Sequence, residues 1–329
     1  MDQRSTPVQR RTLLQLMGSF ALAPAAYSAD RSYPQAAIRF ILPFSAGSST
    51  DVLSRVLAEQ LGQQLGQPVV VENKPGASGI IGTQQLARAA PDAYTIGLVS
   101  LASMAMVPPT LKEAPYDPIH DFVPLSMTGS TDMLLVAGPR AQGKTLQEFV
   151  AWGRQQKEPL FLATLGAGTT GHFAGFLLGK AADIRFEPVH FRTFSDLVPA
   201  LISGAVDVTV MAPAQILPFV KDGKLRGLAT NGPTRLTTYP DVPTFKEAGY
   251  PDMQFLTWVG IVAPMKTPST LVERLSTEII KATNVPAVRT KLEDAGYRVV
   301  ASSREQFSET IRKDVAIWKD MVRTTGFTV

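Results

Sequence analysis

The stretch Pro43-Phe44-Ser45-Ala46-Gly47-Ser48-Ser49-Thr50-Asp51 is the first place where chemistry can be read. It follows an apolar run, Ile38-Arg39-Phe40-Ile41-Leu42, and precedes apolar residues at Leu53, Val56, Leu57, Leu61 and Leu65, a helical spacing. A strand that hands over to a helix through small residues leaves unpaired backbone N–H groups and the positive end of the helix dipole at the junction. Ser48, Ser49 and Thr50 add hydroxyls, so the stretch predicts a site for an anionic ligand. Asp51 reads first as a carboxylate stabilising its own helix N-terminus. A general-base role for it lacks a partner.

The pattern is echoed once. Phe44-Ser45-Ala46-Gly47-Ser48-Ser49-Thr50-Asp51 lines up with Leu165-Gly166-Ala167-Gly168-Thr169-Thr170-Gly171-His172, which follows another apolar strand closing at Thr164 and Leu165. Each stretch then offers one helix N-terminus to a shared cleft, and an anion held between them is pulled by two dipoles, each contributing about 0.3–1 kcal/mol when exposed. His172 either lines that cleft or caps and packs. Arg192 reads as a bidentate carboxylate partner or as a solvated surface cation.

Other chemistries fit less well. Gly138-Pro139-Arg140-Ala141-Gln142-Gly143-Lys144-Thr145 matches the phosphate-binding G-x-x-x-x-G-K-[ST] pattern between an apolar run and a helix. A nucleotide enzyme also needs an acid ending another apolar strand to hold magnesium, and Asp207 lies inside its run instead. His120, His172 and His190 show no metal-ligand spacing, so no metal and no cofactor are expected. No G-x-S-x-G elbow occurs, and the absence of cysteine excludes a thiolate nucleophile. Trp258 either stacks on a ligand ring or packs at a hinge.

The elements that must position these residues alternate. Strands at 38–42, 67–73 and 95–99 are separated by helices, the second over 80–90, which implies a right-handed parallel sheet. Ligands bind beyond the C-terminal strand ends of such sheets, where residues 43–51 and Ser100-Leu101-Ala102-Ser103 both lie. A second unit starts near Met133, with strands at 160–165, 186–190, 206–211 and 225–230 and helices between. The segment 253–263 is apolar and extended, and the remainder is helical to 325. The expected class is α/β: two lobes, each a mainly parallel sheet flanked by helices, with residues 30–132 and 259–329 in lobe 1 and 133–258 in lobe 2.

A chain of 329 residues that is 45% apolar can bury a sizeable core. Its net charge of +4 is modest and its cations are scattered, which argues against nucleic acid as a partner. No apolar run approaches about 18 residues, so no spanning helix is expected in the mature protein. Residues 1–29 read as an export signal: Arg10-Arg11 precede an apolar, Ala-rich run to Ala26, a pattern resembling a twin-arginine leader. Its removal takes away three arginines and one aspartate and leaves a charge of +2.

Several blocks resemble the Bug family, periplasmic solute receptors of tripartite tricarboxylate transporters. They are Ile41-Leu42-Pro43-Phe44-Ser45-Ala46-Gly47 with Asp51, Gly66-Gln67-Pro68-Val69-Val70-Val71-Glu72-Asn73-Lys74-Pro75-Gly76-Ala77, Pro91-Asp92-Ala93-Tyr94-Thr95, Pro115-Tyr116-Asp117-Pro118, Gly223-Lys224-Leu225-Arg226-Gly227, Pro240-Asp241-Val242-Pro243-Thr244 and Glu247-Ala248-Gly249-Tyr250-Pro251. The resemblance implies a type II-like periplasmic binding protein, closing on a small carboxylate and delivering it to membrane permease subunits. It implies a protein that is not an enzyme, expected here as a monomer, with the ligand meeting Phe44, Ser45, Ala46, Gly47, Ser48, Ser49 and Asp51 from one loop and Thr164, Gly166, Ala167, Gly168, Thr169, Thr170 and His172 from the other; Ser100 and Ala102, at their strand end, and Arg192 join the expected site from the reading of the residues themselves. Ser48 stands where the family usually has a second glycine, Ala93 replaces a glycine, and Phe191-Arg192-Thr193 replaces a Tyr-Lys-Gly-like stretch. A nucleotide enzyme using Gly143-Lys144-Thr145, or a sensory receptor subunit, is the alternative.

Overall fold

The computed structural model describes residues 33–327; the export signal expected at 1–29 lies outside them. The chain begins as read: β1 (Ile38–Leu42), α1 (Ser49–Leu65), β2 (Val69–Asn73), α2 (Ile80–Ala87) and β3 (Thr95–Ser100). A single π-turn, Ala102–Met106, follows, and then β4 (Phe122–Thr131). The middle of the chain gives β5 (Leu134–Ala137), α3 (Leu146–Gly153), β6 (Leu160–Thr164), α4 (Thr170–Ala182), β7 (Phe186–His190), α5 (Phe194–Ile202), β8 (Val208–Met211), α6 (Pro213–Lys221) and β9 (Arg226–Thr230). The return comprises β10 (Thr257–Pro264), α7 (Ser269–Asn284), α8 (Pro286–Asp294), β11 (Arg298–Val299) and α9 (Arg304–Thr325).

These strands form two sheets, ordered β11-β4-β10-β3-β1-β2 and β7-β6-β8-β5-β9. The expected parallel units are present: β1 pairs with β2 and β3, and β6 with β7 and β8. Both sheets are nevertheless mixed, because β10 runs antiparallel to β3 and β4, and β5 antiparallel to β8 and β9. The reason is the path of the chain. It leaves the first sheet along β4 and re-enters along β10, and two neighbouring strands that leave and return side by side must oppose each other.

Each sheet is covered on both faces. In the first, α1 and α7 bury Leu53, Leu57, Leu61, Leu275 and Ile279 on one side, while α9 and the π-turn bury Phe307, Ile311, Trp318 and Met104 on the other. In the second, α3 and α4 oppose α5 and α6. Trp258, at the edge of the expected second lobe, belongs to β10 of the first sheet. It is fully buried, its indole N–H donates to Asp314 Oδ2 at 2.6 Å, and its ring meets Phe307 edge-on at 5.3 Å, so it packs rather than waits for a ligand.

The two crossings between sheets are fastened by one side chain. Asn231 Oδ1 accepts from the Met133 N–H at 2.6 Å on the outgoing segment, and its Nδ2 donates to Phe255 O at 3.0 Å on the returning one. Beside it, Arg298 Nη2 lies 2.5 Å from Asp132 Oδ2. Asn231 is 1% exposed. Asn231→Ala leaves a buried N–H and C=O unpaired and should destabilise the fold by about 2–3 kcal/mol in urea unfolding; a change within error would show that the crossings are held by other contacts.

Candidate functional site

The sequence echo is repeated atom by atom. In the first loop the Ser48 Oγ accepts from the Asp51 N–H at 3.2 Å and donates to Ser45 O at 2.7 Å. In the second, the Thr169 Oγ1 accepts from the His172 N–H at 3.4 Å and donates to Gly166 O at 2.9 Å. Both residues are N-caps in extended conformation, Ser48 at φ −72° and Thr169 at φ −66°. The preceding glycines are left-handed, Gly47 at φ 77° and Gly168 at φ 72°, which side-chain-bearing residues resist. Each glycine N–H is then caught by the side chain four residues on: Gly47 donates to Asp51 Oδ2 at 3.0 Å, and Gly168 to His172 Nδ1 at 3.1 Å.

This arrangement decides which groups remain for a ligand. Amides at the first two positions of a helix have no intrahelical acceptor, so Ser49 and Thr50 of α1 and Thr170 and Gly171 of α4 present free N–H donors. Ser49 has a further donor: Tyr297, buried between α8 and β11, donates its hydroxyl to Ser49 Oγ at 3.3 Å and leaves the Ser49 O–H free. Burial pushes the Tyr297 phenol up to about 12, so it remains a donor at neutral pH.

The loops converge. A Cβ on Gly79 would stand 3.5 Å from Pro43 and 3.3 Å from Ser103, which places the turn before α2 against the first loop and the π-turn after β3. Its neighbour Ser78 donates through Oγ to Ala167 O in the second loop, so the two sheets touch where both helices begin. Phe44 and Ser49 are half-buried there, and Ser45, Ala46 and Gly47 are exposed.

Several residues expected at the ligand are committed elsewhere. The Ser48 hydroxyl also meets Thr50 Oγ1 at 2.8 Å, so the departure from the family pattern serves as a cap. Asp51 accepts from Gly47, from Arg55 Nε at 3.0 Å and from Asn73 Nδ2 at 2.9 Å. Burial pushes its carboxyl up, but these hydrogen bonds and the Arg55 charge outweigh that and hold it below its ordinary value. Asp51 therefore builds the loop instead of touching an anion, which its charge would repel. Ser100 Oγ accepts from the Ser103 N–H at 3.3 Å, and Ala102 is buried in the π-turn. Thr164 Oγ1 accepts from the Gly166 N–H at 3.3 Å and meets His190 Nδ1 at 2.5 Å.

Two groups remain open at the edge. Arg192, on the loop after β7, is exposed, and no hydrogen bond or ion pair to a described residue holds it. His190 escaped the sequence reading, which saw three histidines far apart; the β6–β7 pairing sets it opposite Thr164, and its ring lies 5.1 Å from that of His172. Burial, reinforced by His190, depresses His172 to about 4, and burial also lowers His190. Both rings are neutral at pH 7. With Nδ1 accepting from Gly168, the His172 proton resides on Nε2. Among the described residues, no group of three potential metal ligands occurs.

The phosphate-loop reading fails on polarity. Residues 138–145 wrap around Arg226, whose guanidinium donates to the carbonyls of Gly143 at 3.1 Å, Gly138 at 3.2 Å and Ala141. A phosphate cradle points N–H groups inward; this loop points C=O groups at a cation. The Lys144 N–H is taken by Glu148 Oε2 at 2.7 Å, and a Cβ on Gly143 would meet Phe149 N at 2.4 Å, so no space exists over the helix end.

Known proteins share this architecture. The family model described as tripartite tricarboxylate transporter family receptor matches residues 53–327. Protein BugT of Bordetella pertussis is 32% identical over 318 residues, covering 95% of this chain and 97% of that protein. A solved periplasmic transporter superposes with a TM-score of 0.83 at 32% identity, covering 90% of this chain and 99% of the other. MatC from Rhodopseudomonas palustris with bound malate superposes with a TM-score of 0.81 at 28% identity, covering 88% and 100%.

The state of His172 gives a pH signature. Its folded-state value of about 4 lies below the ordinary 6.5, so between those values the unfolded chain binds the extra proton. Its contribution is complete above about pH 6.5 and is lost as pH falls toward 4. Relative to His172→Asn, which keeps an acceptor near Gly168, the wild type should lose stability over that window with a slope approaching about 1.4 kcal/mol per pH unit. Parallel pH curves for the two proteins in urea unfolding would mean that His172 titrates normally.

Proposed function

The chain belongs to the tripartite tricarboxylate transporter receptor family, and from that premise we propose that it is an extracytoplasmic receptor that captures a small carboxylate between its two lobes and hands it to membrane permease subunits. The observation that carries this reading is the duplicated helix N-terminus: one capped loop from each sheet, meeting at the Ser78–Ala167 contact. One ligand carboxylate accepts from the free amides of Ser49, Thr50, Thr170 and Gly171 and from the Ser49 hydroxyl. Two helix dipoles and several N–H groups bind an anion without a fixed cation. Arg192 and His190 lie to the side and read the far end of the ligand, where a guanidinium suits a second carboxylate.

The protein is exported by residues 1–29, works in the periplasm and is a monomer that opens and closes about the segments next to Asp132 and Phe255. It performs no chemistry on its ligand. The Ser49 hydroxyl has no base beside it: the neutral His172 is occupied by Gly168, Asp51 by its three donors, and the His190 Nδ1 by Thr164 Oγ1 at 2.5 Å. MatC, at 28% identity, is described with bound malate, which makes malate the natural first probe.

A melting screen over malate, succinate, adipate, citrate and benzoate tests the reading. At a hundredfold excess over Kd a true ligand adds about 2.7 kcal/mol, which raises Tm by several degrees in a protein of this size. The ligand should be recovered unchanged after release. A converted product, or hydrolysis of ATP that disappears in Lys144→Ala, would overturn it.

A further inference from the structure

Phe327 lies just past α9, yet its ring is buried against a helix of the other sheet. Gly326 closes α9 in the left-handed region (φ 69°), with its N–H on Val322 O at 2.9 Å, so the chain turns off the helix axis there. The Phe327 ring centroid stands 4.0 Å from Phe173, 4.8 Å from Phe176 and 5.0 Å from His172, all on α4, and the residue is 4% exposed. Meanwhile α9 is anchored on the first sheet, where Phe307 and Ile311 are buried beside β10 and the π-turn. Trp318 of α9 reinforces the crossing, edge-on to Phe173 and to Phe255, each at 5.4 Å.

We infer that Phe327 is a positioning residue for ligand capture: it seals the ring of His172 and, through the Gly168–His172 hydrogen bond, fixes the first turn of α4 against the sheet that carries α9. Only a neutral imidazole can accept from the Gly168 N–H. A protonated one turns N–H against N–H, breaks that bond and frees the loop. The His172 ring lies 5.0 Å from that of Phe327 and 5.1 Å from that of His190, its titratable neighbour on β7. Phe327 thus does two things with one ring. It keeps water from His172, and it couples α9, fixed on the first sheet, to the helix whose N-terminus meets the ligand. The coupling to capture rests on the receptor reading above; the seal on His172 does not.

Histidine NMR on the ligand-free protein tests the seal, comparing wild type with Phe327→Ala and with Phe327→Leu, which retains apolar bulk. In the wild type His172 should titrate near 4 and show the Nε2–H tautomer. In Phe327→Ala its titration should move toward 6.5, while Phe327→Leu stays close to wild type. Small-angle scattering should give a larger radius of gyration for ligand-free Phe327→Ala than for wild type. The dissociation rate of malate, or of whichever acid of the melting screen binds, should rise about tenfold, with the association rate changed far less. An unchanged His172 titration in folded Phe327→Ala, or equal loss in Phe327→Leu, overturns the inference. A shifted titration and radius in a protein that binds none of the acids would leave the seal standing and overturn the receptor reading instead.

Discussion

In each half of the molecule a glycine N–H is caught by the side chain four residues ahead. Gly47 is held by Asp51 and Gly168 by His172, and the rest of the arrangement depends on those two bonds. They fold each loop back on its helix, so that the N-cap hydroxyl accepts from the amide three residues on and the first two helical amides stay unpaired. A helix end without such closure satisfies its donors with water and offers no fixed geometry. Here each helix end keeps only its first amides free, in a geometry set by its cap.

The two loops differ at the one position that matters electrostatically. Asp51 is ionised and compensated by Arg55 and Asn73, so its loop is stable across the ordinary pH range. His172 does the same work with a neutral ring, which must be kept dry. That need explains why the second loop, and not the first, lies under an aromatic cluster of Phe173, Phe176, Trp318 and Phe327 drawn from both sheets. Closure and protonation state are thereby linked through one helix, α4. Asn231 and the Asp132–Arg298 pair fasten the two crossings beside that helix's sheet.

Much of this was legible in the sequence because it is local. The spacing of Gly, Ser or Thr, and a polar residue three beyond the cap is a short-range pattern, and it located both loops and their equivalence. The roles within them were less legible. Ser48 looked like an added ligand group and is a cap, while Asp51, read first as stabilising its own helix end, is enclosed by three donors. Nothing in the local pattern announces that Asn73, 22 residues away, completes the Asp51 shell. β4 is hard to read along the chain because Ser126, Thr128 and Ser130 interrupt its apolar run. The Ser126 and Thr128 hydroxyls are buried where neighbours accept them, as Ser126 Oγ donates to Ser302 O at 2.8 Å and Thr128 Oγ1 to Val259 O at 3.4 Å. His190 and Phe327 reach His172 only through strand pairing and helix packing, which a reading of neighbours along the chain does not contain.

Amide proton shifts of Ser49, Thr50, Thr170 and Gly171, followed by NMR as a bound carboxylate reaches saturation, address the clamp most directly. Both pairs should move strongly downfield together, at the same ligand concentration, as each N–H gains a charged acceptor. Movement confined to one loop, or to residues outside both, would contradict a carboxylate held between two helix ends.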